Sequence, residues 1–284
     1  MKTNLLIPLL MYTSPLFLSS QHTSYTQPRY IDTKLGLIAT YTQPGHDDLT
    51  PLIFLHGVYF DHHLWDEVIP QFTERTVITL DMPWHGASKT NIPSTWSLNN
   101  CAEMLVEILD ALLIRQVIAV GHSWGSMTIL RAAHQHPERF ASIGLCNMPY
   151  EAPTKKMIRQ FKSQHAALIF RNLYMKEAGK ALFGKESLAK NPGLLNRLIS
   201  SMKTLTNRQI KRTDQYVIIE ADDAIGLLNN IQVPVLCLKG VEDYVPTPPN
   251  IPTTLVPGGH VSPLEAPDLV NKFCQQIIQL NIEK

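Results

Sequence analysis

A chain of 284 residues with 44% hydrophobic side chains is long enough to bury a sizeable core, and single α/β domains of this size are ordinary. The 25 basic and 24 acidic residues leave a formal charge of +1, which excludes the strongly basic balance of a nucleic-acid-binding protein. The chain contains no repeat and no low-complexity run.

At the N-terminus Lys2 precedes an apolar stretch over residues 5–18, and Ser19 and Ser20 supply small residues for cleavage. Residues 1–20 therefore have the layout of a secretory signal peptide, with an uncleaved extension as the alternative. Removal of that segment would place the protein in the periplasm or outside the cell, and its retention in the cytoplasm. Pro8, Thr13, Ser14 and Pro15 interrupt the run, which is too short for a membrane span.

Residues 35–42 fit an opening hairpin strand, residues 51–55 a buried strand running into His56-Gly57-Val58, and residues 76–80 a short β-branched strand. Ser97 is placed to cap a helix whose apolar residues Leu98, Cys101, Leu105, Ile108, Leu109 and Leu112 keep the helical period. An apolar run at 117–120 leads into Gly121-His122-Ser123-Trp124-Gly125, followed by a helical stretch at 126–134 and a strand at 140–146. Such alternation predicts a doubly wound, mostly parallel sheet.

From about 151 to 220 strand character is lost, and residues 155–173 and 194–202 read as helices. Alternation resumes with a buried strand at 234–238 that ends in Lys239-Gly240-Val241-Glu242-Asp243. A short strand at 253–256 then runs into Pro257-Gly258-Gly259-His260, and a last helix follows from Leu264. Cys101, Cys146, Cys237 and Cys274 fall on these helices and strands and read as small core residues.

The candidate chemistry centres on Ser123. A sharp strand-to-helix turn crowds the serine backbone, so the positions two before and two after it must be small, and both are glycine. Together with this elbow, Asp81-Met82-Pro83-Trp84-His85-Gly86-Ala87-Ser88, Gly240-x-x-Asp243 and Gly259-His260 with Glu265 and Pro267 resemble the α/β-hydrolase superfamily from about Tyr30 to the C-terminus. Trp84 stands where that family usually has glycine. The family order of serine, acid and histidine matches Ser123, Asp243 and His260. Only 16 residues separate Asp243 from His260, and Thr247 to Pro252 hold four Pro or Asn in six positions, which rules against the helix usually found there. Glu242, Asp222 and Asp223 are the rival acids.

The resemblance implies an α/β-hydrolase core over 30–150 and 221–284 with a helical cap over 151–220 that shapes the substrate pocket. It also implies a Ser-His-Asp mechanism on a small or medium carboxylic ester. His260 would take the Ser123 proton, Asp243 would orient the imidazole, and the backbone N–H groups of Val58 and Trp124 would receive the oxyanion. No metal and no organic cofactor enters this scheme. Residues 121–126 with His136-Pro137-Glu138-Arg139 are also similar to proline iminopeptidases, although His56-Gly57-Val58-Tyr59-Phe60 departs from their glycine-rich loop. A lactonase, a thioesterase and a non-catalytic ligand-binding protein on the same scaffold are further readings. Dehalogenase and epoxide hydrolase chemistry is disfavoured, because those relatives carry aspartate at the position of Ser123.

His56 and His85 belong to fold loops and read as structural; His134 with His136, and His62 with His63, make poor metal pairs. Residues 151–215 hold 14 Lys and Arg against 4 Asp and Glu, while the rest of the chain has 11 against 20. The basic segment reads either as a solvated face packed on an acidic body or as an attractor of anionic substrates or a membrane surface.

Overall fold

The apolar runs of the sequence become neighbouring strands of one eight-stranded sheet in the computed structural model, which describes residues 27–281. The stretch with the layout of a signal peptide lies outside the described residues. In chain order the strands are β1 (Arg29–Thr33), β2 (Gly36–Gln43), β3 (Leu52–Leu55), β4 (Val77–Leu80), β5 (Val117–His122), β6 (Phe140–Cys146), β7 (Val235–Gly240) and β8 (Thr253–Val256). Their spatial order is β1-β2-β4-β3-β5-β6-β7-β8, antiparallel for β1, β2 and β4 and parallel from β4 onward. Strands β3 to β6 are buried at every residue, as predominantly apolar runs require when both sheet faces are covered.

Winding direction decides where the helices go. The connection from β3 to β4 steps one way along the sheet, whereas those from β4 through β7 step the other, and right-handed crossovers put the two sets on opposite faces. Helices α1 (Leu98–Ala111) and α2 (Trp124–Gln135) pack together on one face. Ser97 caps α1 as its sequence predicts, accepting from Asn100 N at 3.3 Å while Asn100 Oδ1 accepts from Ser97 N at 3.0 Å. The reversal falls between β3 and β5, so the loops leaving their carboxyl ends turn to opposite sides of the sheet there.

Between β6 and β7 the chain forms α3 (Lys155–Ala166), α4 (Arg171–Leu182), α5 (Lys185–Lys190), α6 (Gly193–Lys203), α7 (Asn207–Asp214) and α8 (Ile225–Asn229). The single helix expected over 155–173 is broken by a 3-10 turn at Ala167–Phe170. The cause is tertiary: Asn207 Nδ2 donates to the Leu168 carbonyl at 3.1 Å and takes it out of the helical ladder. The chain ends in α9 (Ser262–Glu265) and α10 (Pro267–Gln279). Helix α10 lies on β6, where Ser142 Oγ donates to Ile277 O at 2.8 Å, and reaches the β3–β4 connection through Asn271 Nδ2 and Val68 O at 3.0 Å.

Two local results differ from, or sharpen, the sequence reading. β1 is a strand that its polar sequence Arg-Tyr-Ile-Asp-Thr does not announce, and it exists because it pairs with β2 at the sheet edge. β7 and β8 run parallel with residues 241–252 joining them without a helix, as the proline-rich run requires. All four cysteines are buried and free.

Candidate active site

The turn from β5 into α2 holds Ser123 at φ 50° and ψ −112°, a left-handed conformation that an L-residue keeps only when its surroundings force it. The two glycines make that possible. A Cβ on Gly121 would stand 2.4 Å from Ser126 N, and one on Gly125 would stand 2.2 Å from Leu55 O, so neither position accepts a side chain. Ser126 Oγ ties the turn down by donating to Gly121 O at 2.7 Å and Cys146 O at 3.1 Å, and Ser123 N donates to Cys146 O at 2.9 Å.

Ser123, His260 and Asp243 come together although the two bonded pairs lie 137 and 17 positions apart along the chain. His260 Nε2 lies 3.0 Å from Ser123 Oγ, and His260 Nδ1 lies 2.9 Å from Asp243 Oδ1. A carboxylate only accepts, so Asp243 fixes the proton on Nδ1 and leaves Nε2 bare towards the serine. Ser123 is 5% and His260 3% exposed, and the Asp243 side chain is fully buried. Burial pushes the Asp243 carboxyl up, but its electrostatic interaction with His260 and hydrogen bonds from His260, Asn147 and Val245 outweigh it and hold the group below its ordinary value. The rival acids are engaged elsewhere: Asp222 pairs with Arg131, Glu242 accepts from Lys185 N, and Asp223 accepts from Ile225 N.

Residues that the sequence reading did not single out for this role hold the acid and the histidine. Asn147, at the carboxyl end of β6 with φ 51°, donates from Nδ2 to Asp243 Oδ2 at 2.8 Å and to Gly259 O at 3.2 Å. Lys239 Nζ donates to Asp243 O at 3.4 Å and to Val245 O, bracing the acid loop where no helix follows β7. Glu265 accepts from Gly259 N at 2.8 Å, Val261 N at 3.0 Å and Gly184 N at 2.8 Å, so one carboxylate clamps both sides of His260 and the start of α5. Tyr244 stacks on the His260 ring at 4.7 Å. Position at a strand's carboxyl end was the only signal that could have pointed to Asn147; the Glu265 contacts are set by tertiary packing.

The loop after β3 passes directly over the serine. A Cβ on Gly57 would lie 3.0 Å from Ser123 Cβ, which places the neighbouring Val58 backbone at the site. Among the described residues, the backbone N–H groups of Val58 and Trp124 donate to nothing, the latter because it opens α2. Three neutral imidazoles hold this architecture. His56 donates from Nδ1 to Gly57 O at 2.7 Å and accepts from Met82 N at 2.9 Å. His85 donates to Pro83 O at 2.9 Å and accepts from Tyr59 N at 3.1 Å. His122 donates from Nε2 to His260 O at 2.6 Å. Burial lowers their pKa values to about 3, about 4 and about 3 respectively.

Trp84 has φ 68°, which explains why glycine is usual at that position, and its ring packs on Trp96 and Tyr216. Trp124 is fully buried and stacks on Trp96 at 5.3 Å. The α3–α7 segment reaches the site through Asp214, which accepts from Tyr59 Oη at 2.6 Å and His165 Nε2 at 2.8 Å, and through Leu182 O, which accepts from His260 N at 2.6 Å.

A sequence model of the family described as alpha/beta hydrolase fold matches residues 50–240, and the chain belongs to that family. It is 26% identical over 273 residues to the uncharacterized hydrolase YugF of Bacillus subtilis, which spans 84% of this chain and 92% of that protein. Among solved structures, a thermophilic esterase from Thermogutta terrifontis superposes with a TM-score of 0.77 at 19% identity, covering 89% of this chain and 98% of the esterase. The enol-lactonase from Burkholderia xenovorans superposes with a TM-score of 0.75 at 15% identity, covering 89% and 99%. At such identities the likeness is one of fold.

Proposed function

We propose that the protein is a serine hydrolase that cleaves a carboxylic ester of a small or medium substrate through an acyl-enzyme on Ser123. The observation that carries this reading is the unbroken line Asp243 Oδ1, His260 Nδ1, His260 Nε2, Ser123 Oγ at 2.9 and 3.0 Å on a strained elbow. The serine hydroxyl attacks the ester carbonyl carbon as its proton passes to His260 Nε2. Asp243 stabilises the imidazolium without taking its proton. The oxyanion is received by the free N–H groups of Val58 and Trp124, a kind of donor worth about 3 to 4 kcal/mol in the transition state. Collapse breaks the bond to the alcohol oxygen, which takes the proton from His260. Water then attacks the acyl-enzyme by the same route and releases the acid and Ser123. Helices α3 to α7 act as the cap that bounds the acyl and alcohol pockets.

The test is hydrolysis of p-nitrophenyl esters from acetate to palmitate by the full chain and its Ser123→Ala variant. The expected result is turnover that falls roughly 10⁴-fold or more in the variant. Equal residual turnover in the variant, or none on any ester by folded protein, overturns the esterase reading; the latter points to an amide or lactone substrate or to a ligand-binding role.

A further inference from the structure

The α3–α4 corner carries an apolar crest, and the two helices that meet there carry unpaired cations. Ile169, Phe170 and Leu173 are 80%, 65% and 58% exposed. Residues so exposed project from the surface; in water they gain nothing from folding, so the fold does not account for them. On the preceding helix Lys155, Arg159 and Lys162 follow one another at i, i+4 and i+7 on a single face of α3, all exposed, and α3 contains no acidic residue. Lys156 and Lys176 add two more exposed cations.

Partnering separates these cations from four others on the same segment. Lys180 pairs with Glu177, Lys190 with Glu186 and Arg197 with Glu67, while Arg171 is hydrogen-bonded to Asn207, Met202 O and Leu205 O. Among the described residues, Lys155, Lys156, Arg159, Lys162 and Lys176 form no ion pair. Lys185, Lys203, Arg208, Lys211 and Arg212 of residues 151–215 form no ion pair among the described residues either, so it is the exposed apolar crest that sets the α3–α4 corner apart.

We propose that this corner is a docking surface for an anionic lipid bilayer, with Ile169, Phe170 and Leu173 entering the headgroup region and the surrounding lysines and arginine facing lipid phosphates. Projecting aliphatic and aromatic side chains on helices that carry unpaired cations match an interface that is apolar in depth and negative at its surface. Attachment is peripheral, since no helix among the described residues is long and apolar enough to cross a membrane. The inference does not depend on the ester chemistry: none of these side chains takes part in the Ser123 site.

The experiment is cosedimentation of the full chain with vesicles of phosphatidylcholine alone and of phosphatidylcholine with 30% phosphatidylglycerol, at low and at 0.5 M salt. Binding to the anionic vesicles that weakens at high salt is expected. Each basic side chain near such a surface is worth about fivefold in partitioning, so Arg159→Gln, Lys162→Gln and Lys176→Gln together are expected to cost about a hundredfold. Ile169→Ser, Phe170→Ser and Leu173→Ser together are expected to cost at least about tenfold, with the melting temperature unchanged. Equal binding to the two vesicle types overturns the proposal. So does binding that neither set of substitutions alters, which would place attachment in residues 1–26. A dimer in gel filtration that the serine substitutions convert to monomer, with no vesicle binding, overturns it in favour of a second copy of the chain.

Discussion

Acidification from pH 7 to pH 5 is expected to remove a large share of the folding free energy through three buried imidazoles. His56, His85 and His122 are at most 1% exposed, with folded-state pKa values of about 3, about 4 and about 3, against about 6.5 in the unfolded chain. Burial is the main cause, and protonating Nε2 of His56 or His85 would also set an N–H against the Met82 or Tyr59 N–H it now accepts from. Because each folded value lies below the unfolded one, the unfolded chain binds the extra protons. The contribution is complete above about pH 6.5 and is lost as pH falls towards 4 and 3. At pH 5 each group costs about 2 kcal/mol and the three about 6 kcal/mol, against a usual total of about 5–15 kcal/mol. Asp214, pushed up by burial, titrates in the opposite sense and trims the loss. Urea unfolding at pH 7, 6 and 5, followed by fluorescence of the four tryptophans, measures it. A fall of less than about 1 kcal/mol between pH 7 and 5 would refute the reasoning, because these imidazoles would then have to accept protons in the folded state.

Glu265→Ala leaves Gly184, Gly259 and Val261 N–H without their acceptor; at about 1.5 kcal/mol for each part-buried bond it should cost about 4.5 kcal/mol, read as a fall in melting temperature near 10 °C. Glu265→Gln, keeping one oxygen, should lose roughly half as much or less in the same melt. Gly125→Ala should destabilise by more than about 3 kcal/mol or prevent folding, since its methyl would meet Leu55 O at 2.2 Å; a wild-type urea midpoint would contradict the elbow geometry. Asn147→Gly accepts the backbone at φ 51° while deleting both side-chain bonds, so kcat is expected to drop about tenfold with KM little changed in steady-state ester hydrolysis.

What the sequence determined by itself is what depends on neighbours along the chain. The glycines at 121 and 125, the buried runs on either side of the elbow, the Ser97 cap and the helix-free Thr247–Pro252 stretch act within a few residues, where sterics and hydrogen-bond donors are set by residue type. The order Ser123, Asp243, His260 was also legible, because a fixed strand succession brings fixed loops to one edge of the sheet. The tertiary structure alone decided the rest. It split the expected 155–173 helix through a side chain at 207, made β1 a strand by pairing it with β2, and chose Asp243 over Glu242 by which carboxylate met His260. It also assigned Glu265, Asn147 and His122 to hold the histidine and acid loops, through hydrogen bonds that are worth forming only where folding has excluded water. Such pairings join residues up to 138 positions apart, and a hydrogen-bonding side chain carries no mark in the sequence of the partner that burial will bring to it.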